Sequence, residues 1–355
     1  MLHRSCLIGI ALSYLPTLAW PAAIGACFAW AGAAGTAFWL LIAALVGYAW
    51  MLAVYRGARV QHRGVKVMRK DQPELMAVVE GVMQRAGIGR LDGVWLAPDA
   101  GAWALIGRRD WLWRRHVGVA LGLLTVAHLS ADELGAILAH EAGHLTDRRA
   151  LRLFLSHRRR MVLRKLEWRT TRPLRWYWTW FLKMTREQGL DSERHADAVA
   201  TQMYGADLAE RAQQRFAEAS VVHAIVMQRF IRPLWDRRIA PATFFEAYEA
   251  VWDRTPQRVA AAVTAWMQSP EQPRDTHPGL AQRCGGRSFP LPPSLRGDLP
   301  LAGLQELDRR CAASLRQRER RYPMKTMTWT EIRAEREKLG LVRWPPPQEA
   351  DVTPA

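Results

Sequence analysis

The chain has 355 residues, 49% of them hydrophobic, with four cysteines and a formal net charge of +17. That length accommodates one or two domains with a full core, and the composition excludes both a disordered chain and a disulfide-framed one. So basic a balance leaves anionic lipid or nucleic acid as partners to consider, but no recognised nucleic-acid motif accompanies it, and none is expected to bind.

From Ser5 to Tyr55 there is no Asp, Glu, Lys, Arg or His, and only Ala31-Gly32-Ala33-Ala34-Gly35 interrupts the apolar run. A membrane-spanning helix needs about 20 apolar residues. Cys6 to Trp30 and Thr36 to Tyr55 each supply that, so a transmembrane helical hairpin is expected over residues 1–56. The competing expectation is a signal peptide cleaved near Ala22-Ala23, followed by one span. Arg4 precedes the hairpin, and Arg56, Arg59, Arg63, Lys66, Arg69 and Lys70 follow it before any acid appears. Lys and Arg mark cytoplasmic loops. A multi-pass protein of the inner or cell membrane follows, in contact with membrane lipids, with the rest of the chain in the cytoplasm. Cys6 and Cys27 fall in the first span while Cys284 and Cys311 stand far apart, so no disulfide framework is expected.

Beyond the hairpin, Asp71 to Ala86 reads as an amphipathic helix, and Val94 to Ala97 and Val117 to Ala120 as short strands. Between these strands, Arg108-Arg109-Asp110-Trp111-Leu112-Trp113-Arg114-Arg115 reads as a basic, aromatic hairpin tip. Ser130-Ala131-Asp132-Glu133 then forms a capping box, and Leu134, Ile137, Leu138 and Leu145 recur with helical spacing. Inside that helix lies His140-Glu141-Ala142-Gly143-His144. Histidines four apart project from one helix face and can bind one Zn²⁺, with Glu141 beside it to take a proton from an activated water and pass it to a leaving amine. That chemistry is peptide-bond hydrolysis.

Two histidines leave a tetrahedral zinc short of one protein ligand. Leu145 to Arg149 supplies none, so a second helix must. In Asp191-Ser192-Glu193-Arg194-His195-Ala196-Asp197, Asp191 or Ser192 can cap a helix, and Glu193 and Asp197 share a face. Glu193 is the expected ligand, with Glu187, Asp191 and His195 its nearby competitors. Asp197 is placed to hold a ligand histidine by its other ring nitrogen. His128, His157 and His223 lack ligand spacing and read as ordinary surface or core residues.

Between Arg148 and Arg194 there are fourteen Lys or Arg against four acids, around the run Trp176-Tyr177-Trp178-Thr179-Trp180-Phe181-Leu182. Trp and Tyr favour the lipid headgroup region and Arg an anionic surface, so this segment reads as interfacial. Helices are expected at Ala206 to Phe230, Pro241 to Asp253 and Pro256 to Gln268. Past Arg283, Phe289-Pro290-Leu291-Pro292-Pro293 breaks regularity before a charged helix over Leu301 to Arg321. Thr328-Trp329-Thr330-Glu331 caps a last helix ending at Gly340, and the tail from Pro345 reads as disordered.

His140-Glu141-x-x-His144, then Glu193-x-x-Ala196-Asp197, then Thr276-His277-Pro278 with Arg283 resemble the M48 family of gluzincin metallopeptidases, which includes membrane CAAX-processing proteases and bacterial heat-shock membrane proteases. The resemblance runs from about Gln72 to Arg283 and takes in Pro73-Glu74-Leu75, Gly118 to Leu124 as a strand-like run, and Leu129-Ser130-x-x-Glu133-Leu134. It implies a helix-dominated α+β zincin-type domain with a small sheet over residues 57–285, carrying the basic aromatic insertion at about 148–190. Residues 286–355 follow as a Pro-rich linker, helices and tail. It further implies one zinc per chain, Glu193 as third ligand, and His277 with Arg283 at the rim of the active site, the histidine stabilising the oxyanion. Where that family shows an Asn-Ala pair before the substrate-side strand, this chain has Gly101-Ala102-Trp103-Ala104, so its substrate contacts differ. The expected function is a membrane-anchored zinc endopeptidase acting on peptide or protein. The alternatives are a catalytically silent zinc adaptor and a basic protein whose partner is lipid or nucleic acid.

Overall fold

The computed structural model describes residues 64–108, 115–146, 172–269, 279–318 and 324–335. The hairpin expected over 1–56, the tip between Arg108 and Arg115, His277 and the tail lie outside them. No helix among the described residues is long and apolar enough to cross a membrane. The chain divides into two compact units. One comprises 1–61, 148–191 and 272–277, of which only the helical stretch 172–191 is described. The other comprises 62–147, 192–271 and 278–355 and holds the sheet and the candidate site described below.

In this unit β1 (Val65–Val67), helix α1 (Pro73–Arg85), β2 (Gly93–Ala97), β3 (Ala102–Arg108) and β4 (Arg115–Gly122) come first. Pro73 opens α1, where its missing N–H costs nothing. The strands form one sheet in the order β1-β2-β4-β3, with β2 and β4 parallel and the other pairs antiparallel. Alternation sets its two faces. Paired rows Val65–Leu96–Leu121–Ala102 and Val67–Val94–Val119–Ala104 share one face. That face packs into the main core with Leu75, Val79 and Val82 of α1.

The strand-like run to Leu124 ends at Gly122. Leu123 begins a short helix α2 (Leu123–His128), whose six residues are all buried. Continuous apolarity suits a buried helix as well as a buried strand, so the run alone could not separate them. Helix α3 (Ala131–Thr146) starts at the expected capping box: Glu133 N–H donates to Ser130 Oγ at 3.2 Å, and Ser130 N–H to Glu133 Oε2 at 3.0 Å. Helix α4 (Arg172–Tyr204) corrects the expected start at Asp191 or Ser192, for it passes through both without a break. A capping residue permits a helix start but does not impose one when the preceding residues also favour helix.

Helix α5 (Ala206–Val226) continues into a π-helical turn at Met227–Ile231 and the short α6 (Arg232–Asp236). The helix expected over Pro241 to Asp253 is present but begins four residues later, as α7 (Phe245–Arg254), and Pro241 instead ends a strand, β5 (Ile239–Pro241). The change follows from a long-range partner. Buried Asp308 accepts the N–H groups of Phe244 and Phe245 at 2.8–3.0 Å and so supplies the cap from outside the segment. Helices α8 (Pro256–Met267), α9 (Leu280–Arg283), α10 (Leu304–Arg318) and α11 (Trp329–Glu335) complete the unit, with β6 (Lys325–Met327) parallel to β5. Thr328 and Glu331 form the expected capping box of α11. Leu299, Leu307 and Cys311 lie in the same core as the sheet.

Candidate metal centre

The centre is built where α3 and α4 cross at close range. A Cβ added at Gly143 would fall 2.6 Å from Ala196 Cα, and one added at Gly135 would fall 2.2 Å from Tyr204 Oη. At Gly143 the absence of a side chain lets the two backbones approach, and at Gly135 it makes room for the Tyr204 side chain. On α4, Ser192, Glu193, Ala196 and Ala200 are buried while Arg194 and His195 are exposed, the helical alternation that turns Glu193 inward and leaves His195 outside.

Three donors converge. His140 Nε2 and His144 Nε2 are 3.2 Å apart, and the Glu193 carboxylate oxygens lie 3.5 Å from each. Ligand atoms about 2.0–2.2 Å from a tetrahedral zinc stand roughly 3.3–3.6 Å from one another. The donor set therefore fits a metal ion of that kind, and among the described residues it is the one such His/Cys/Asp/Glu group.

Each histidine is held by its other ring nitrogen. Asp197 Oδ1 is 2.8 Å from His140 Nδ1, and Ser192 Oγ is 3.2 Å from His144 Nδ1. An acceptor at Nδ1 puts the proton there and leaves the Nε2 lone pair for a metal. Burial would lower His140's basicity, but the hydrogen bonds from Asp197 and Glu193 outweigh it and lift its pKa above the usual histidine value. Burial likewise pushes the Asp197 carboxyl up, yet the His140 bond and the Arg283 guanidinium hold it below the usual range.

Arg283 Nη2 lies 3.2 Å from Asp197 Oδ1 and 3.2 Å from both His140 ring nitrogens. The structure thus brings Arg283 against the histidine and its aspartate. Glu141 faces the sheet: its Oε2 accepts the Ala104 N–H at 2.7 Å. Burial raises the Glu141 pKa, opposed by His140 and that N–H. A carboxylate of raised basicity beside a metal site is a better proton acceptor than an ordinary one.

Of the sequence candidates, His140, Glu141, His144, Glu193, Asp197 and Arg283 come together, and His277 lies outside the described residues. Sequence reasoning missed Ser192 and Ala104. Ser192 was read as a helix cap, and its contact with His144 spans 48 residues. Ala104 contributes only backbone, which no side-chain pattern announces. His128 is a buried core residue on Leu295 O at 2.7 Å, and His223 is half-buried on Tyr248 Oη at 2.9 Å.

A model of peptidase family M48 matches residues 69–285. No curated protein and no solved structure matches the chain.

Proposed function

The chain belongs to peptidase family M48, and from that premise we propose that it is a membrane-anchored endopeptidase that holds one zinc ion per chain on His140, His144 and Glu193. The observation that carries this reading is the 3.2–3.5 Å spacing of the three donor sets, with Glu141 one residue from His140. Zinc bound there supplies Lewis acidity, which polarises a carbonyl and acidifies a water.

The remaining steps belong to the protein. Glu141 takes the proton from the attacking water and delivers it to the leaving amine. Asp197 and Ser192 fix the tautomers of His140 and His144, and Arg283 neutralises and holds Asp197. His277, six residues before Arg283, is assigned to the rim and to the oxyanion. Substrates are peptides or proteins. The apolar run from Ser5 to Tyr55 and the basic residues after it support an anchor in the inner or cell membrane and a cytoplasmic catalytic unit, with lipids as the second partner.

The test pairs metal content with hydrolysis of an unfolded protein substrate. Glu141→Gln should keep zinc and lose roughly 10² to 10⁴-fold in rate, because proton transfer and metal binding rest on different atoms. His140→Ala should lose both. Undiminished hydrolysis by Glu141→Gln would remove the assigned mechanism, and zinc-loaded protein that never cleaves would favour the silent adaptor.

A further inference from the structure

Among the described residues β3 ends the sheet, and its backbone groups alternate in direction. The Gly101 carbonyl accepts the Gly122 N–H at 2.6 Å, toward β4, whereas the Ala104 N–H points away from β4 to Glu141. A peptide reaching Glu141 therefore arrives along the outer edge of β3. There an extended chain can add as a further strand. Side chains of such a strand would alternate between the two sheet faces.

One face is closed by the core helices. The other carries the paired row Trp103–Ala120–Trp95–Lys66. Trp95 is spent within this face: it lies across Gly93 and Gly118, where an added Cβ would fall 2.6 Å from its indole, and it is 8% exposed. Trp103 is different. It precedes Ala104 directly and is 43% exposed. It is also held in place, because its indole folds back over Gly101, where a Cβ would fall 2.1 Å from two ring atoms. An aromatic fixed at the edge strand, beside the Glu141 contact and open to solvent, has no work in the core.

We propose that Trp103 is a specificity-determining residue, an apolar platform that selects peptides carrying an aromatic or large aliphatic side chain within two residues of the cleaved bond. The proposal rests on the peptidase reading, and the experiment separates the two. Paired peptides differing only by Phe or Ala at single positions are cleaved by the full-length, zinc-loaded protein, and the same pairs are titrated calorimetrically onto full-length Glu141→Gln. One position should favour Phe by about tenfold or more, the discrimination usual for a side chain filling an apolar subsite. Trp103→Ala should reduce that ratio to near unity with zinc content retained, and Trp103→Phe should keep part of it. Gly101→Ala should reduce it as well, because the new methyl displaces the indole without removing it. A Phe preference unchanged in zinc-loaded Trp103→Ala overturns the proposal. If the wild type cleaves nothing, the peptidase reading falls, and the binding arm alone then decides: equal affinity for Phe and Ala peptides overturns the platform, and a Trp103-dependent preference upholds it.

Discussion

Two small residues flank the metal ligands with different strength. Asp197 offers His140 a charged acceptor at 2.8 Å, and Ser192 offers His144 a neutral hydroxyl at 3.2 Å. Charge-assisted bonds are about twice as strong as neutral ones. Asp197→Asn should therefore weaken zinc binding by about 10 to 100-fold and Ser192→Ala by less, as read from competition with a chelator. His140 with His144, and Glu193 with Asp197, could be singled out in the sequence because four-residue spacing puts each pair on one helix face. Ser192 was not, since its role depends on which neighbour a second helix presents. A separate residue governs acid stability. Burial lowers the His223 pKa to about 4, against 6.5 for an unperturbed histidine. Between those values the unfolded chain binds a proton that the folded protein refuses, so stability falls as pH drops through that window. The loss reaches about 2 kcal/mol by pH 5. His223→Gln should flatten that part of the decline in denaturation curves at pH 7 and pH 5; identical slopes in both proteins would remove His223 from the account.

At the level of elements, the crossing of α3 and α4 makes the site, and Gly143 makes the crossing. Gly143→Ala sets two effects against each other. Helix propensity favours alanine by up to about 1 kcal/mol. The added methyl, 2.6 Å from a backbone atom, costs about 1–3 kcal/mol as overpacking does and must push α4 aside. Net destabilisation is expected, and a larger loss in zinc affinity, because Glu193 travels with α4. Stability lost without any change in affinity would mean that α4 yields elsewhere. Periodicity and capping boxes revealed α1 nearly to the residue and the starts of α3 and α11, while the end expected at Gly340 lies outside the described residues. They misplaced the start of α4 and the strand at Ile239–Pro241. In the second case the deciding group, Asp308, lies over sixty residues away, beyond the reach of any local pattern.

On the scale of the whole molecule, residues after 285 belong to the peptidase unit. Gln72 and Ala302 exchange hydrogen bonds at 2.6 and 3.1 Å, Gly297 N–H donates to Ala127 O at 2.8 Å, and Asp298 accepts the N–H of Ala131 at the start of the HExxH helix. Cys311 is fully buried against Leu96, with its thiol pushed up to about 12 by burial. A chain ending at Arg287 retains every proposed site residue yet should fail to fold, because the core loses Leu299, Leu307 and Cys311, and removing a buried side chain costs about 2–5 kcal/mol. Circular dichroism and zinc content of that truncation decide the matter. Folded, metal-loaded protein would show that the later segment is an accessory.

Cover that comes from the end of the chain also sets a clock. Synthesis proceeds at about 5–20 residues per second, so His144 leaves the ribosome on the order of ten seconds before Cys311 does. Throughout that interval the sheet behind the metal-binding helix lacks part of its packing. A nascent M48 peptidase would thus complete the packing behind its HExxH helix last, well after the helix itself has been made.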